Sequence, residues 1–267
     1  MVREAPGGVK MTIFLSPLVF PFRLIDRSLF PPTCWITGEP VQPVDQGLSG
    51  GVRRRLERFV GWPFCPRCGA TLGPWSDLSG CRRCPARRLG VERIVRAGPW
   101  DEPLSSLVRL LKFQGRWPVA AVLASWLGAA LERHAAGQVD VLAPVPLHWW
   151  RQWRRGFNQA HEIAAYTGGR LNRPVLDVLR RVRPTAPQTR TQSVTARAEN
   201  LHGAFEAFTH PLLAGKRVWL VDDVCTTGAT LRAAAAALRA LPAGNRPASI
   251  GAAVVAVADS TPIPAND

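Results

Sequence analysis

The chain has 267 residues, 46% of them hydrophobic, and a formal net charge of +15 at pH 7. That length and apolar content exclude a disordered chain and allow a full core in one or two domains. No stretch is long enough to span a membrane: the longest apolar candidate, Val119 to Leu131, falls short of the roughly 18 to 20 residues required.

The charge is nearly all arginine, with Lys10, Lys112 and Lys216 the only lysines. It suits a partner rich in phosphate, and it equally suits a plain compositional bias, since charge alone does not report fold or specificity. Residues 1–29 read as lead-in and packing segment. Met11 to Phe22 faintly resembles the apolar part of an export signal, but Pro17 and Pro21 interrupt it and no small-x-small site follows. A cytoplasmic location is therefore expected, and Met11 is expected to be the true start.

Residues 30–95 are expected to form a zinc-ribbon domain. Residues 38–51 lack any period and read as loop, and Arg53 to Phe59 reads as a short amphipathic helix. Cys65 and Cys68, then Cys81 and Cys84, give C-x2-C, twelve residues, C-x2-C. Each pair can aim two sulfurs at one tetrahedral metal, and the intervening length suffices for a hairpin. Disulfides would need export, and a redox motif would want a single CxxC beside a βαβ unit. One structural Zn²⁺ is the expectation. Cys34 is left over and reads as a buried, idle thiol.

Val91 to Trp100 reads as the link to a second domain, residues 96–260, with 261–267 as tail. Helices are predicted over Pro103 to Phe113, from the Leu104, Leu107, Leu110, Leu111 stripe, and over Val119 to His134, which is apolar nearly all round. Asp140 to Pro146 reads as a strand ending in a tight loop. The basic, aromatic stretch Leu147 to Ala160 follows, with Asn158 as N-cap of a helix to about Tyr166. Val175 to Leu179 reads as a strand, and residues 180–208 as a long polar segment of functional type. Val218 to Val221 reads as a buried parallel strand, followed by Asp222 and Asp223. The loop Cys225-Thr226-Thr227-Gly228-Ala229-Thr230 opens a helix predicted over Ala229 to Leu241, and Ser249 to Val257 is a last buried strand.

Strand, tight loop and helix N-terminus together make a phosphate site, because the first helix amides point outward and the dipole favours an anion. The loop lacks the lysine of GxxxxGK[ST] and lacks GxGxxG. Two carboxylates beside a phosphate make sense if they accept hydrogen bonds from a ribose's vicinal hydroxyls with Mg²⁺ nearby. The stretch VWLVDDVCTTGAT resembles the binding loop of type I phosphoribosyltransferases.

Nearly the whole chain, about residues 12–258, resembles the ComF (competence protein F) family. The matching motifs are FPPTC at 30–34, CPRC and CRRC, LVRLLKFQG at 107–115, APVPLH at 143–148, RRGFNQA at 154–160, Gln188, R-x-x-N at 197–200, GAF at 203–205 and VDDVCTTGAT at 221–230. The resemblance implies an α/β fold: a type I phosphoribosyltransferase-like parallel sheet flanked by helices, with a small N-terminal zinc ribbon. It implies that residues 225–230 hold a ribose 5-phosphate, with Asp222 and Asp223 at the hydroxyls and Cys225 given no chemistry of its own. Arg154, Arg155 and Asn158 fall on the pyrophosphate side, and Arg197 on a segment that closes over the site. The implied ligand is phosphoribosyl pyrophosphate or a related nucleotide, with Mg²⁺. The chemistry is transfer of phosphoribosyl to a nitrogen base, which makes the chain a phosphoribosyltransferase. Two alternatives stand beside it. One is a non-catalytic accessory of DNA uptake that binds single-stranded DNA and works with competence or DNA-processing proteins. The other is a zinc-ribbon interaction module with solubilising arginines. In one respect the chain departs from relatives that carry two further CxxC pairs: only Cys34-x-x-Thr37 remains of the first, and Ser49 and Val52 stand where the second would be. A single metal site is expected.

Overall fold

The computed structural model describes residues 32–73, 81, 84, 89–147, 156–182 and 203–258. The chain separates into two compact units, Met1–Ser49 and Gly50–Asp267.

In the first unit the described residues form a tight turn. Cys34 N donates to Glu39 O at 2.7 Å, Gly38 N donates to Cys34 O at 2.9 Å, and Thr33 bridges Pro40. Gly38 sits at φ 73°, a conformation that favours glycine. The segment read as loop also holds a 3-10 turn at Pro43–Asp45.

The second unit begins with α1 (Gly50–Gly61), longer at both ends than its sequence signal. It buries Val52, Leu56, Phe59 and Val60 and leaves Arg54, Arg55 and Arg58 exposed, as an amphipathic helix should. Next comes β1 (Arg93–Pro99), where a link was expected. The apolar run is broken by Arg96, which hides the strand in the sequence. That guanidinium is nonetheless 1% exposed. It donates to Thr71 Oγ1 at 2.9 Å and lies 5.4 Å from the Phe64 ring centre, so the flanks of the first cysteine turn receive it.

Among the described residues there follow α2 (Leu104–Gln114), α3 (Pro118–His134), β2 (Val141–Pro144), α4 (Gln159–Leu171), β3 (Leu179–Arg181), β4 (Phe205–Ala207), β5 (Arg217–Cys225), α5 (Ala229–Arg239) and β6 (Ser249–Val257). The main sheet has the order β1-β6-β5-β2 and every pairing is parallel. Parallel strands buried on both faces read as continuous apolar runs, which is why Val218 to Val221 and Ser249 to Val257 were legible. The stretch expected as one strand over 175–179 divides. Val175 makes a single parallel bridge to Leu142, and Leu179 opens an antiparallel pair with β4.

The α5 face of the sheet is filled by Val141, Ala143, Val218, Leu220, Ile250, Ala252 and Val254, packed with Leu231, Ala234, Ala235 and Leu238. Helices α3 and α4 pack on the other side, where close approach is enforced by glycine: a Cβ on Gly251 would come within 2.6 Å of the Trp219 ring. Trp219 Nε1 donates to Gln138 O at 2.8 Å, so the ring has little freedom to move aside. At the amino end of the sheet, Arg217 clamps Asp140 through Nε and Nη2 at 2.9 and 2.7 Å, joining the starts of β2 and β5. That guanidinium holds the Asp140 carboxyl well below the ordinary carboxylate range. Substituting Gly251→Val is expected to cost about 1–3 kcal/mol by overpacking. The measurement is a lowered urea midpoint at unchanged m-value.

Candidate functional site

The site is a ledge. Strand β5 pairs with β2 only as far as Val221, opposite Pro144, whereas its pairing with β6 continues to Cys225. Proline ends the β2 ladder and the chain turns away after Val145 N has donated to Val221 O at 2.9 Å. Four residues of β5 therefore run past β2, and among the described residues no strand pairs with that flank. Asp222 and Asp223 lie on that overhang, inside the strand and not after it as the sequence suggested.

Being inside a strand, the two acids point to opposite faces. Asp223 points to the helix side, where Lys112 Nζ from the last turn of α2 lies 2.8 Å from its Oδ1. Asp222 accepts from Asp223 N at 2.8 Å. Desolvation and then the charge of Asp223 push the Asp222 carboxyl up to about 7, against the opposing pull of Lys112. An acid pair so reluctant to carry two charges fits a divalent cation or hydroxyl donors.

The loop beyond is shaped by Gly228, which is the N-cap of α5 at φ 76°. A side chain is excluded there twice over: the backbone is left-handed, and an added Cβ would overlap Leu89 Cδ2. Ala229 N reaches Thr227 Oγ1 at 3.4 Å, Thr226 is exposed, Thr227 and Thr230 are partly exposed, and Ala229 and Cys225 are buried. Cys225 closes the strand end by accepting from Ala258 N at 2.9 Å.

Across the open flank, Asn158 caps α4 by accepting from Ala160 N at 3.2 Å, as expected from sequence, and its Nδ2 donates to Val145 O at 3.3 Å. Its amide thus ties the helix start to the turn after β2. Phe157 and Phe205 are both buried, as core aromatics. Arg154, Arg155 and Arg197 lie outside the described residues. The sequence reading gave Lys112 no role in the site, although it stood in the LVRLLKFQG motif and at the end of a predicted helix. The available signal was its type, a lysine in a chain that otherwise uses arginine.

The four cysteines converge. Their Sγ atoms lie within 4.8 Å of one another, the only such cluster among the described residues, and can hold a metal ion. Cys65 to Cys84 and Cys68 to Cys81 are 3.4 and 3.6 Å apart, close to the roughly 3.8 Å edge of a tetrathiolate tetrahedron around zinc. The first turn repeats the geometry of Cys34–Gly38: Cys65 N donates to Ala70 O, Gly69 N to Cys65 O, and Phe64 bridges Thr71. Burial raises the Cys65 thiol, but the amides of Arg67 and Cys68 outweigh it and lower the thiol below its usual range. Cys34 has Thr37 where Cys68 stands in its own turn. Burial opposes ionisation there too, yet the Thr37 hydroxyl and the amides of Thr37, Ile36 and Ser49 bring its thiol down to about 7.

A parallel α/β sheet with an acid pair and a glycine-capped loop at the carboxyl end of a central strand is the framework of a type I phosphoribosyltransferase. Residues 154–265 match the model of the Phosphoribosyl transferase domain. The chain belongs to the ComF family. It is 34% identical over 201 residues to Competence protein F of Haemophilus influenzae, covering 73% of this chain and 85% of that protein. It is 33% identical over 209 residues to the DNA utilization protein YhgH of Salmonella typhi, covering 75% and 88%. To Competence protein ComFC of Bacillus subtilis it is 28% identical over 245 residues, covering 89% and 93%. Among the described residues no helix is long and apolar enough to cross a membrane.

In an unfolded chain Asp222 would titrate near the ordinary value of about 4. The folded protein therefore binds the extra proton between about pH 4 and 7, and wild-type stability falls as pH rises through that window. Asp222→Asn removes this penalty and keeps an oxygen for the Asp223 amide. Its stability advantage over wild type is expected to grow by about 2 kcal/mol between pH 5 and pH 8. Denaturant titrations at the two pH values check this, and a constant difference would refute it.

Proposed function

We infer that the chain binds phosphoribosyl pyrophosphate and transfers its phosphoribosyl group to a nitrogen base. The observation that carries this reading is the overhang of β5, which presents Asp222 and Asp223 directly before the left-handed Gly228 and the start of α5. Residues 225–230 hold the 5-phosphate with helix amides and threonine hydroxyls. Asp222 and Asp223, approached along the edge of β5 that runs past β2, from which both faces are within reach, accept from the ribose hydroxyls. Arg154, Arg155 and Asn158 face the pyrophosphate, with Asn158 acting through the turn at Val145, and Arg197 closes over the ligand.

The reaction breaks the bond between C1 and the pyrophosphate oxygen and forms one from C1 to nitrogen. Pyrophosphate leaves with the electron pair of the broken bond, and the base loses a proton. The transition state is oxocarbenium-like, so fixed cations near the leaving oxygens stabilise the charge that develops there. Mg²⁺ bound with the ligand supplies further neutralisation of the pyrophosphate. One structural Zn²⁺ occupies Cys65, Cys68, Cys81 and Cys84, in line with their separations. A cytoplasmic location accords with a reduced four-cysteine site.

A second reading is favoured by the names of the relatives, two competence proteins and a DNA utilization protein. In it the same domain senses a nucleotide while the arginine-rich surface handles single-stranded DNA with other competence proteins.

Titration calorimetry with phosphoribosyl pyrophosphate and Mg²⁺ tests the first reading: binding is expected, at least about 30-fold weaker in Asp223→Asn, a loss of about 2 kcal/mol. Pyrophosphate release across a panel of bases then separates an enzyme from a sensor. Absence of binding sinks the first reading, and single-stranded DNA affinity falling steeply with salt supports the accessory role. Metal analysis of purified protein is expected to give one zinc per chain, and a ratio of two would overturn the single site.

A further inference from the structure

Lys112 is placed with care. Its helix is pinned by Leu104, Leu107, Val108 and Leu111, each 1% exposed or less. Gly115 ends the helix in the left-handed conformation at φ 61°, and Pro118 opens the next. A basic residue in the last turn ordinarily serves the helix's own carbonyl end. Here the ammonium instead leaves its helix and meets Asp223, with the two side chains only 20% and 11% exposed. The choice of residue type is informative. An arginine would grip the carboxylate with two parallel hydrogen bonds and resist replacement, whereas lysine offers a single compact charge on a flexible stem. The chain uses arginine almost everywhere, including the structural clamp of Arg217 on Asp140 at the other end of the same strand. Where a permanent bond is needed it uses the fork, and where the carboxylate belongs to the ligand site it uses the point charge.

We propose that Lys112 is an exchangeable internal cation, holding Asp223 in place while the site is empty and releasing it when a phosphoribosyl ligand arrives with its divalent cation. This rests on the phosphoribosyl reading of the site. Breaking a shielded pair is costly unless both members find new partners. Asp223 finds them in the hydroxyls and cation of the ligand, and the ammonium, whose side chain is already 20% exposed, finds water. Lys112 is thus a positioning residue of the empty site.

Two measurements test this. In the first, binding of Mn²⁺ alone is followed by electron paramagnetic resonance for wild type, Lys112→Arg and Lys112→Met, each shown folded by its thermal transition. With the competing charge removed, Lys112→Met is expected to bind Mn²⁺ about tenfold tighter than wild type, a change of about 1.4 kcal/mol. Lys112→Arg is expected to bind Mn²⁺ at least about threefold more weakly than wild type, because the guanidinium fork resists replacement. A residue that merely supports the fold would weaken Mn²⁺ binding when removed, so weaker or unchanged binding in Lys112→Met overturns the proposal. The second uses wild type and so does not depend on a variant folding. Amine-selective methylation read by mass spectrometry compares Lys112 with Lys216, an internal reference in a chain of three lysines. Mg²⁺ with phosphoribosyl pyrophosphate is expected to raise Lys112 labelling relative to Lys216 at least threefold. If calorimetry shows the ligand bound and Lys112 labelling does not rise, the exchange does not occur. If calorimetry shows no ligand bound, the phosphoribosyl reading fails, and the Mn²⁺ arm alone decides whether Lys112 competes with cations.

Discussion

The rest of the molecule depends on one mismatch of strand lengths. β5 is supported on both edges through Val221 and on one edge thereafter. The missing support comes from Pro144, which cannot continue the ladder, and from the turn that Asn158 and Val145 fix beside it. A strand with one open flank at the carboxyl end of a parallel sheet is where α/β folds bind ligands. The overhang also explains why the two neighbouring carboxylates differ. Alternation along the strand sends one towards α2 and Lys112, and leaves the other to meet the cost of desolvation.

The four-cysteine centre is joined to this ledge by the chain between them. The first turn is locked to the sheet edge by Ile94 N donating to Pro66 O at 2.8 Å and by Arg96 beneath Phe64 and Thr71. After the second pair, Leu89 fills the space beside Gly228, and Gly90 O accepts from Arg239 Nη1 of α5 at 2.6 Å. Leu89 and Gly90, which follow the second cysteine pair in the chain, therefore border the loop and α5, from which they are far in sequence. The Cys34 turn makes a complementary point. It keeps the same backbone hydrogen bonds and the same left-handed glycine with threonine in place of the second thiol. The turn is specified by glycine and backbone pairing, and a metal held by the four cysteines would tie two turns together.

Buried helices and strands were legible where burial imposes a plain pattern. β6 spans the residues expected of it, and α2, α3 and α5 fall within one or two residues of their apolar stripes. β1 was missed because a buried arginine breaks the run, and only a partner across the interface makes such burial tolerable. The segment from Val175 to Leu179 was read as one strand because propensity cannot tell which of two sheets each half will join.

The sequence by itself determined the chemistry on offer: a threonine- and glycine-bearing loop at a helix start, an acid pair, four thiols at metal-binding spacing, and the family to which they belong. Those features are local, and residue type with short spacing is enough to specify them. Tertiary structure decided how the acids are used. Whether Asp222 and Asp223 act as one unit or face opposite ways depends on where the neighbouring strand stops. Which cation meets them depends on a helix more than 100 residues earlier in the chain. Contacts of that kind are set by register and packing, so no local pattern carries them.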